Sequence, residues 1–473
     1  HPAMSRYQEL AEHTARLIAD GLLRPGERLP SVRQACRIHA ISPVTVTQAY
    51  YLLESRGLIE ARPRSGYFVR ARLDPRLPEP EMSHPAGGST QLQVSDFIFQ
   101  ILDSVRDPSV VPLGSSFPSP YLYPLDKLGR FLAGAARRFN PLATVTDLPP
   151  GNEALRRQLA LRYLAQGASV SPQEIVITSG AMEGLNLCLQ AVTQPGDLIA
   201  IESPTFYAGL QASERLGLKV IEIPSHPRHG VSLPALEEAL RRHPIKACLL
   251  MLNFANPTGS RLSDDDKRAL LALLRRHDVP LIEDDVYAEL YFGQQAPLCS
   301  KAEDKTGLVM HVSSFSKCLA PGYRVGWVAA GRYAGRIQRQ KLSFSLATTI
   351  PVQIALADYL RQGGFENHLR RLRQTLVQQE AELARAVERH FPPGTRLARP
   401  QGGYFTWLEL PARVDTLRLH QEALARGISI APGPIFSATR AFRHHLRLNF
   451  GHPDPKRLEA AMATLGALIA GQL

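Results

Sequence analysis

The chain has 473 residues with 55 Lys and Arg against 43 Asp and Glu, a formal net charge of +12. That length exceeds one ordinary core, so two or three folding units are expected. An apolar fraction of 44% and a charged fraction of 21% are those of a globular protein, and the absence of an uninterrupted apolar run of bilayer length argues against membrane insertion.

His1-Pro2-Ala3-Met4 leads into a polar helical pattern rather than a basic and then apolar leader, so Met4 is read as the natural start and the cytoplasm as the compartment. The next segment, residues 4–71, carries ten arginines, six acidic residues and no lysine, a small basic module suited to a polyanionic partner. Its pattern predicts a helix over 5–20, a turn at Leu23-Arg24-Pro25-Gly26, a second helix from Ser31 and a third from Ser42. Two short strands, 58–61 and 67–69, follow. Ser42-Pro43 combines a capping residue with proline at the first helical position, and Val46, Ala49, Tyr50 and Leu53 recur at helical spacing. The opposite face offers Thr45, Thr47 and Gln48. Arg62-Pro63-Arg64-Ser65-Gly66 is a turn with two cations, a wing suited to phosphate or minor-groove contact.

Residues 72–94 turn to proline and glycine with almost no apolar periodicity and read as a linker. Proline-rich chain extends about 3 Å per residue, which sets a spacer of up to ~60 Å. From 95 to 473, helical segments alternate with β-branched strands at 175–178, 198–201, 247–252, 281–283 and 308–313, the pattern of a mostly parallel α/β sheet. A helix near 363–390 and strands at 403–409 and 446–450 predict a smaller α+β subdomain.

Cys36, Cys188, Cys248, Cys299 and Cys318 are odd in number and scattered. They read as reduced thiols, and no metal site is expected.

Chemistry gathers around Val312-Ser313-Ser314-Phe315-Ser316-Lys317. A lysine amine condenses with an aldehyde only where its pKa is lowered, and Ser314, Ser316 and Arg324 are spaced to hold a phosphate beside Lys317. After strand 175–178 comes Ser179-Gly180-Ala181, where a helix begins and offers free N–H groups to an anion. Phe206 ends the next strand, placed either to stack on a flat ring or to fill the core. Asn256, in Asn253-Phe254-Ala255-Asn256-Pro257-Thr258-Gly259, presents an amide. Glu283-Asp284-Asp285-Val286-Tyr287 puts a carboxylate at the end of a buried strand. That position asks for a cationic partner such as a protonated pyridine nitrogen. Asp284 is read in that role, Tyr287 as reaching the ring oxygen, and Asp285 as a surface turn. These segments all follow strands, at the edge where open α/β sheets bind ligands.

Residues 95 to 473 thus resemble the fold-type I, class I aminotransferases that use pyridoxal 5'-phosphate. The resemblance implies that Lys317 forms the Schiff base and Asp284 binds the pyridine nitrogen. Asn256 and Tyr287 would contact the ring hydroxyl, and Phe206 would stack. Gly180, Ala181, Ser314, Ser316 and Arg324 would hold the phosphate. It also implies that Arg447, in Leu446-Arg447-Leu448-Asn449-Phe450, clamps a ligand carboxylate, with Gly114 lining the substrate side. At Thr146 this chain lacks the aromatic residue that similar enzymes carry.

Residues 4–71, with Leu29-Pro30-Ser31-Val32-Arg33, resemble the GntR winged-helix family, and the whole chain resembles the MocR-type branch. Arg33, Ser42, Thr45, Thr47 and Gln48 are then the implied DNA contacts, with Arg62 and Arg64 contributing affinity. The expectation is a homodimeric transcriptional regulator on a double-stranded operator. It would sense pyridoxal phosphate or an amino-acid-like effector with little or no transaminase turnover. A working aminotransferase carrying a DNA module is the alternative.

Overall fold

The computed structural model describes residues 5–62, 64–70, 77–452 and 454–473; Met4, Pro63 in the wing turn and residues 71–76 lie outside them. Caps set the N-terminal helices. Behind α1 (Arg6–Ala19), α2 (Val32–His39) starts with a reciprocal box in which Ser31 Oγ accepts the Gln34 amide at 3.3 Å and Gln34 Oε1 accepts the Ser31 amide at 2.9 Å. α3 (Pro43–Ser55) begins with Ser42 Oγ accepting the Thr45 amide at 3.2 Å and Pro43 at the first position. Leu10, Ala35, Val46, Ala49 and Leu53 from the three helices close one core with Ile59 and Val69, each large aliphatic contributing about 1.5–3 kcal/mol by burial. β1 (Ile59–Arg62) and β2 (Gly66–Val69) pair antiparallel in the register Arg62↔Gly66, forming the wing.

The stretch expected to be a free spacer is fastened from Leu77 onward. Pro78 O accepts the Leu397 amide at 2.8 Å, Glu79 pairs with Arg228 at 2.5 Å, and Ser83 Oγ accepts the Ser225 amide at 2.9 Å. Ser89–Gln91 is strand β3, an edge of the main sheet. The described part of the expected spacer, from Leu77 onward, is thus held against the large domain.

The main sheet comprises β3, β4 (Ile175–Thr178), β5 (Leu198–Ser203), β6 (Lys219–His226), β7 (Gly230–Val231), β8 (Ile245–Leu250), β9 (Leu281–Asp284), β10 (Val309–Ser314) and β11 (Gly326–Ala329). Its order is β3-β6-β5-β8-β9-β10-β11-β4, with β7 on β6. Strands β6, β5, β8, β9 and β10 run parallel, whereas β11 is antiparallel to both β10 and β4. β11 was not anticipated, because it follows the lysine segment after only a short turn. Both faces are buried: Ile175 and Ile177 of β4 enter one core cluster and Val176 another. That is why these strands read as apolar runs.

A second sheet, β12 (Arg396–Leu397), β13 (Phe405–Glu409), β14 (Ala431–Pro432) and β15 (His445–Asn449), is antiparallel in the order β12-β13-β15-β14. Helix Phe365–His390 precedes it and helix Pro455–Ala470 follows, giving the smaller α+β unit. Among the described residues no helix is long and apolar enough to cross a membrane.

Candidate functional site

The carboxyl ends of β4, β9 and β10 converge on a cavity of about 250 Å³, lined among others by Phe206, Asp284, Tyr287, Ser316, Lys317 and Arg324. Ala181 and Ser314 border it as well. At the β4 exit, Gly180 has φ +87° and carries no side chain because a Cβ there would strike the Arg324 guanidinium. A Cβ on Gly326 would lie 2.7 Å from the Gly180 carbonyl carbon and 2.9 Å from the Ala181 nitrogen. The two glycines therefore let the turn, the N-terminus of helix Ala181–Val192 and Arg324 meet. That helix has no side-chain cap, so its first N–H groups and positive dipole end are available to an anion.

Arg324 completes the cradle, donating through Nη1 to Ser316 Oγ at 3.0 Å, while Ser314 Oγ accepts the Ser316 amide at 3.3 Å. One residue on, Lys317 donates to the Ser116 carbonyl at 3.0 Å with its ammonium 4.2 Å above the Phe117 ring. Burial lowers this amine to about 7; Arg447 and Arg324 act in the same sense and Asp284 opposes. The neighbouring Cys318 thiol is buried and pushed up to about 12, so it fills space rather than reacting.

Asp284 is 4% exposed, and its Oδ1 has no hydrogen-bond partner. Burial and then the adjacent Asp285 push its carboxyl up to about 7, against the pull of Lys317. Asp285 corrects the expectation of a surface turn, for it is buried and pointed away from the cavity into a polar chain. Its Oδ2 meets His311 Nε2 at 2.7 Å and its Oδ1 accepts from Asn253 Nδ2 at 2.9 Å. Beyond these, His311 Nδ1 meets the Tyr163 hydroxyl at 2.6 Å, Trp327 Nε1 donates to that hydroxyl at 3.0 Å, and Lys267 donates to Asn253 Oδ1 at 2.6 Å. Although burial acts the other way, the His311 bond and charge and the Asn253 amide hold Asp285 below the usual carboxylate range.

On the far side, Asn256 accepts from Arg447 Nη1 through Oδ1 at 2.7 Å, and its buried Nδ2 is without a partner. Tyr287 is buried with its ring 5.5 Å from those of both Tyr404 and Phe405. Arg447 is fully buried, donating through Nη2 to the Gly114 and Ser115 carbonyls at 2.8 and 3.1 Å, with its guanidinium 4.2 Å over Phe405. Gly114 is required by close approach, since a Cβ would lie 2.5 Å from the Ile430 carbonyl carbon. Sequence reasoning missed Ser116, whose carbonyl takes both Lys317 and the Tyr404 hydroxyl, because a backbone acceptor leaves no residue signature.

The residues expected to meet DNA lie together on the winged helix, with their polar groups partly engaged. Ser42 caps α3 and bonds the Thr45 hydroxyl at 2.8 Å, and the Thr47 hydroxyl donates to the Pro43 carbonyl at 2.8 Å. Gln48 and Arg33 are exposed. Arg62 is paired with Glu60 at 2.7 Å and stacks on Phe68 at 4.3 Å. Arg64, exposed at φ +61°, is therefore the less encumbered cation of the wing.

The family model for aminotransferase class I and II matches residues 135–465, and that for bacterial regulatory proteins of the gntR family matches residues 6–69. The uncharacterized HTH-type transcriptional regulator YdcR of Escherichia coli (strain K12) is 46% identical over 470 residues, covering 99% of this chain and 100% of that protein. YjiR of the same organism, also an uncharacterized HTH-type regulator, is 39% identical over 466 residues, 98% of this chain and 99% of that one. Among solved structures, LysN, the α-aminoadipate aminotransferase of Thermus thermophilus complexed with N-(5'-phosphopyridoxyl)-L-leucine, superposes with a TM-score of 0.74 at 27% identity, covering 81% of this chain and 96% of LysN. With a GntR helix-turn-helix joined to an aminotransferase class I and II domain, and relatives that match it end to end, the chain belongs to the GntR-family transcriptional regulators of the MocR type.

Proposed function

We propose that this transcriptional regulator holds pyridoxal phosphate at Lys317 and uses it to sense an amine, reporting occupancy to operator DNA bound by the winged helix. The observation that carries the reading is the pairing, in one cavity, of a lysine amine lowered to about 7 with a buried carboxylate oxygen that has no hydrogen-bond partner. Two unpartnered buried atoms and the polar groups around them support it. Asp284 Oδ1 would face the cofactor's pyridine nitrogen, Asn256 Nδ2 and the Tyr287 hydroxyl its ring hydroxyl, and Phe206 its face. The amides at Gly180 and Ala181, with Ser314, Ser316 and Arg324, would hold its phosphate. When bound, the cofactor supplies an aldehyde that joins reversibly to amines.

Arg447 would orient an amino-acid carboxylate, exchanging the Gly114 and Ser115 carbonyls for it. A buried guanidinium already held by neutral acceptors gains most from a charged one. On the DNA side, Thr47, Gln48 and Arg33 would face the groove and Arg64 a phosphate, while Ser42 and Thr45 support the helix start. We infer a homodimer, because a two-fold operator asks for two winged helices. Exposed Phe117, Tyr121, Leu142 and Val145 leave apolar surface for it.

Reduction of the cofactor-loaded protein with borohydride, followed by peptide mapping, tests the pocket. The label is expected on the peptide containing Lys317; a label elsewhere, or none, removes the reading. Sustained turnover of an amino donor with a 2-oxo acid at ordinary enzyme rates would replace the sensor by an enzyme.

A further inference from the structure

One short segment reaches from the pocket to the DNA module. It leaves β9 at Asp284, passes Tyr287 and ends at Tyr291–Gln295, one wall of a cleft of about 630 Å³. The facing wall is α3, through Thr47, Gln48 and Tyr51. Helix Phe365–His390 closes the cleft, with the Arg370 guanidinium 5.3 Å over the Tyr51 ring, and a Cβ on Gly57 would lie 3.7 Å from Val377. The winged helix is thus seated on the large domain by the face of its own third helix.

The segment between the two ends is stiffly held. Tyr291 lies under Arg373, whose guanidinium is 3.9 Å from the ring centroid. Arg373 donates to the Glu289 carbonyl at 2.7 Å and pairs with its carboxylate at 3.3 Å, while Arg162 takes the other carboxylate oxygen at 2.5 Å. Three residues separate Tyr287, whose ring lines the pocket, from Tyr291, whose ring lines the cleft. The Leu290 carbonyl accepts the Gly403 amide at 2.9 Å and the Phe292 amide donates to Gln401 at 2.7 Å, so a displacement at one end has little slack to absorb it.

Thr47 and Gln48 are also the residues that would meet base edges. A major groove is about 12 Å wide and 8.5 Å deep and is walled by phosphates, so a helix seated in it must be clear of its own chain along that face. In the docked arrangement that face is shared with Tyr291–Gln295 and Arg370 across the cleft, so a duplex and the large domain compete for it. We propose that docking of α3 against Tyr291–Gln295 and Arg370 is a closed state that competes with duplex DNA, and that the segment from Asp284 to Gln295 couples this state to occupancy of the cofactor pocket. The coupling half rests on the cofactor reading above; the docking half does not. A ligand shifts such an equilibrium only by its different affinity for the two states, and contacts at Asp284 and Tyr287, on the segment itself, supply that difference.

The test uses the full chain with Arg370→Ala and, separately, Tyr291→Ala, both outside the winged helix and the pocket. Affinity is measured by anisotropy for the duplex upstream of its own gene and for an unrelated duplex at low salt, with and without pyridoxal phosphate. Absorbance of the same samples reports cofactor binding. Arg370 is exposed, so its variant is expected to fold. The proposal predicts at least threefold tighter binding to both duplexes for each variant without cofactor. It also predicts cofactor absorbance like the parent's and a cofactor effect on affinity reduced to within twofold. Unchanged affinity overturns the closed state, as does weaker binding with a shallower salt dependence, which would make Arg370 a phosphate contact. A full cofactor effect in the Tyr291→Ala protein overturns the coupling. If the parent shows no cofactor absorbance, the pocket reading fails by itself, and the affinities without cofactor still decide the docking.

Discussion

Arg447 Nη1 and Asn256 Oδ1 share a buried 2.7 Å hydrogen bond, which ties the side chain suited to a ligand carboxylate to the amide suited to a ring hydroxyl. The bond fixes the Asn256 amide with Oδ1 toward the cation, so Nδ2, the donor, is the end left unpaired. Arg447→Lys is therefore expected to keep the cofactor absorbance but to weaken the spectral response to amino acids. Losing one charged hydrogen bond costs about 1.5–3 kcal/mol, roughly 10- to 150-fold in the concentration required. Amino-acid titrations followed by absorbance measure this; an unchanged midpoint would place the carboxylate elsewhere.

Lys317→Ala should abolish the visible absorbance of lysine-bound cofactor while leaving far-ultraviolet circular dichroism unchanged, because the lysine's side-chain hydrogen bond, to the Ser116 carbonyl, has a backbone acceptor that also receives Tyr404. A borohydride-stable adduct persisting in the variant would mean that another lysine reacts.

Capture of the cofactor should follow the Lys317 amine. Held at about 7 instead of the ordinary 10.5, the amine is protonated and unreactive below pH 7 and free above it. The rate should then rise about tenfold per pH unit up to pH 7 and level off beyond. Asp284, at about 7, becomes anionic over the same interval and favours a protonated pyridine on the same side of the midpoint. Stopped-flow absorbance between pH 5.5 and about 9.5 reads the profile. A rate still climbing above pH 9 would show an amine near its ordinary pKa.

Arg64→Ala should weaken DNA binding alike on all sequences and lower the slope of log affinity against log salt by about 0.9, the share of one phosphate contact. Arg62→Ala should do less, since Glu60 already pairs with that guanidinium. Equal slopes for the parent and Arg64→Ala would take the wing off the DNA surface.

Much of the pocket was legible because its chemistry is local in the chain. Ser314, Ser316, Lys317 and Arg324 fall within eleven residues at the end of one strand, and a cap followed by proline marks the start of α3 at Ser42. What stayed hidden depends on partners distant in sequence. Asp285 resembles a surface acid until β10 places His311 beside it, 26 residues on. The proline-rich stretch looked free because Ser83 is anchored by backbone groups of Ser203 and Ser225, which no composition reveals. Arg62 reads as an open cation in the turn because its ion pair with Glu60 depends on the strand conformation that brings the two side chains together.

The central claim, that the aminotransferase-like domain controls the DNA module through its cofactor, is tested most directly by the affinity of the full chain for the duplex upstream of its own gene, with and without pyridoxal phosphate, while absorbance confirms loading at Lys317. The account predicts a change of at least several-fold on loading that is absent in Lys317→Ala. Identical affinities for the fully loaded and unloaded parent would contradict it.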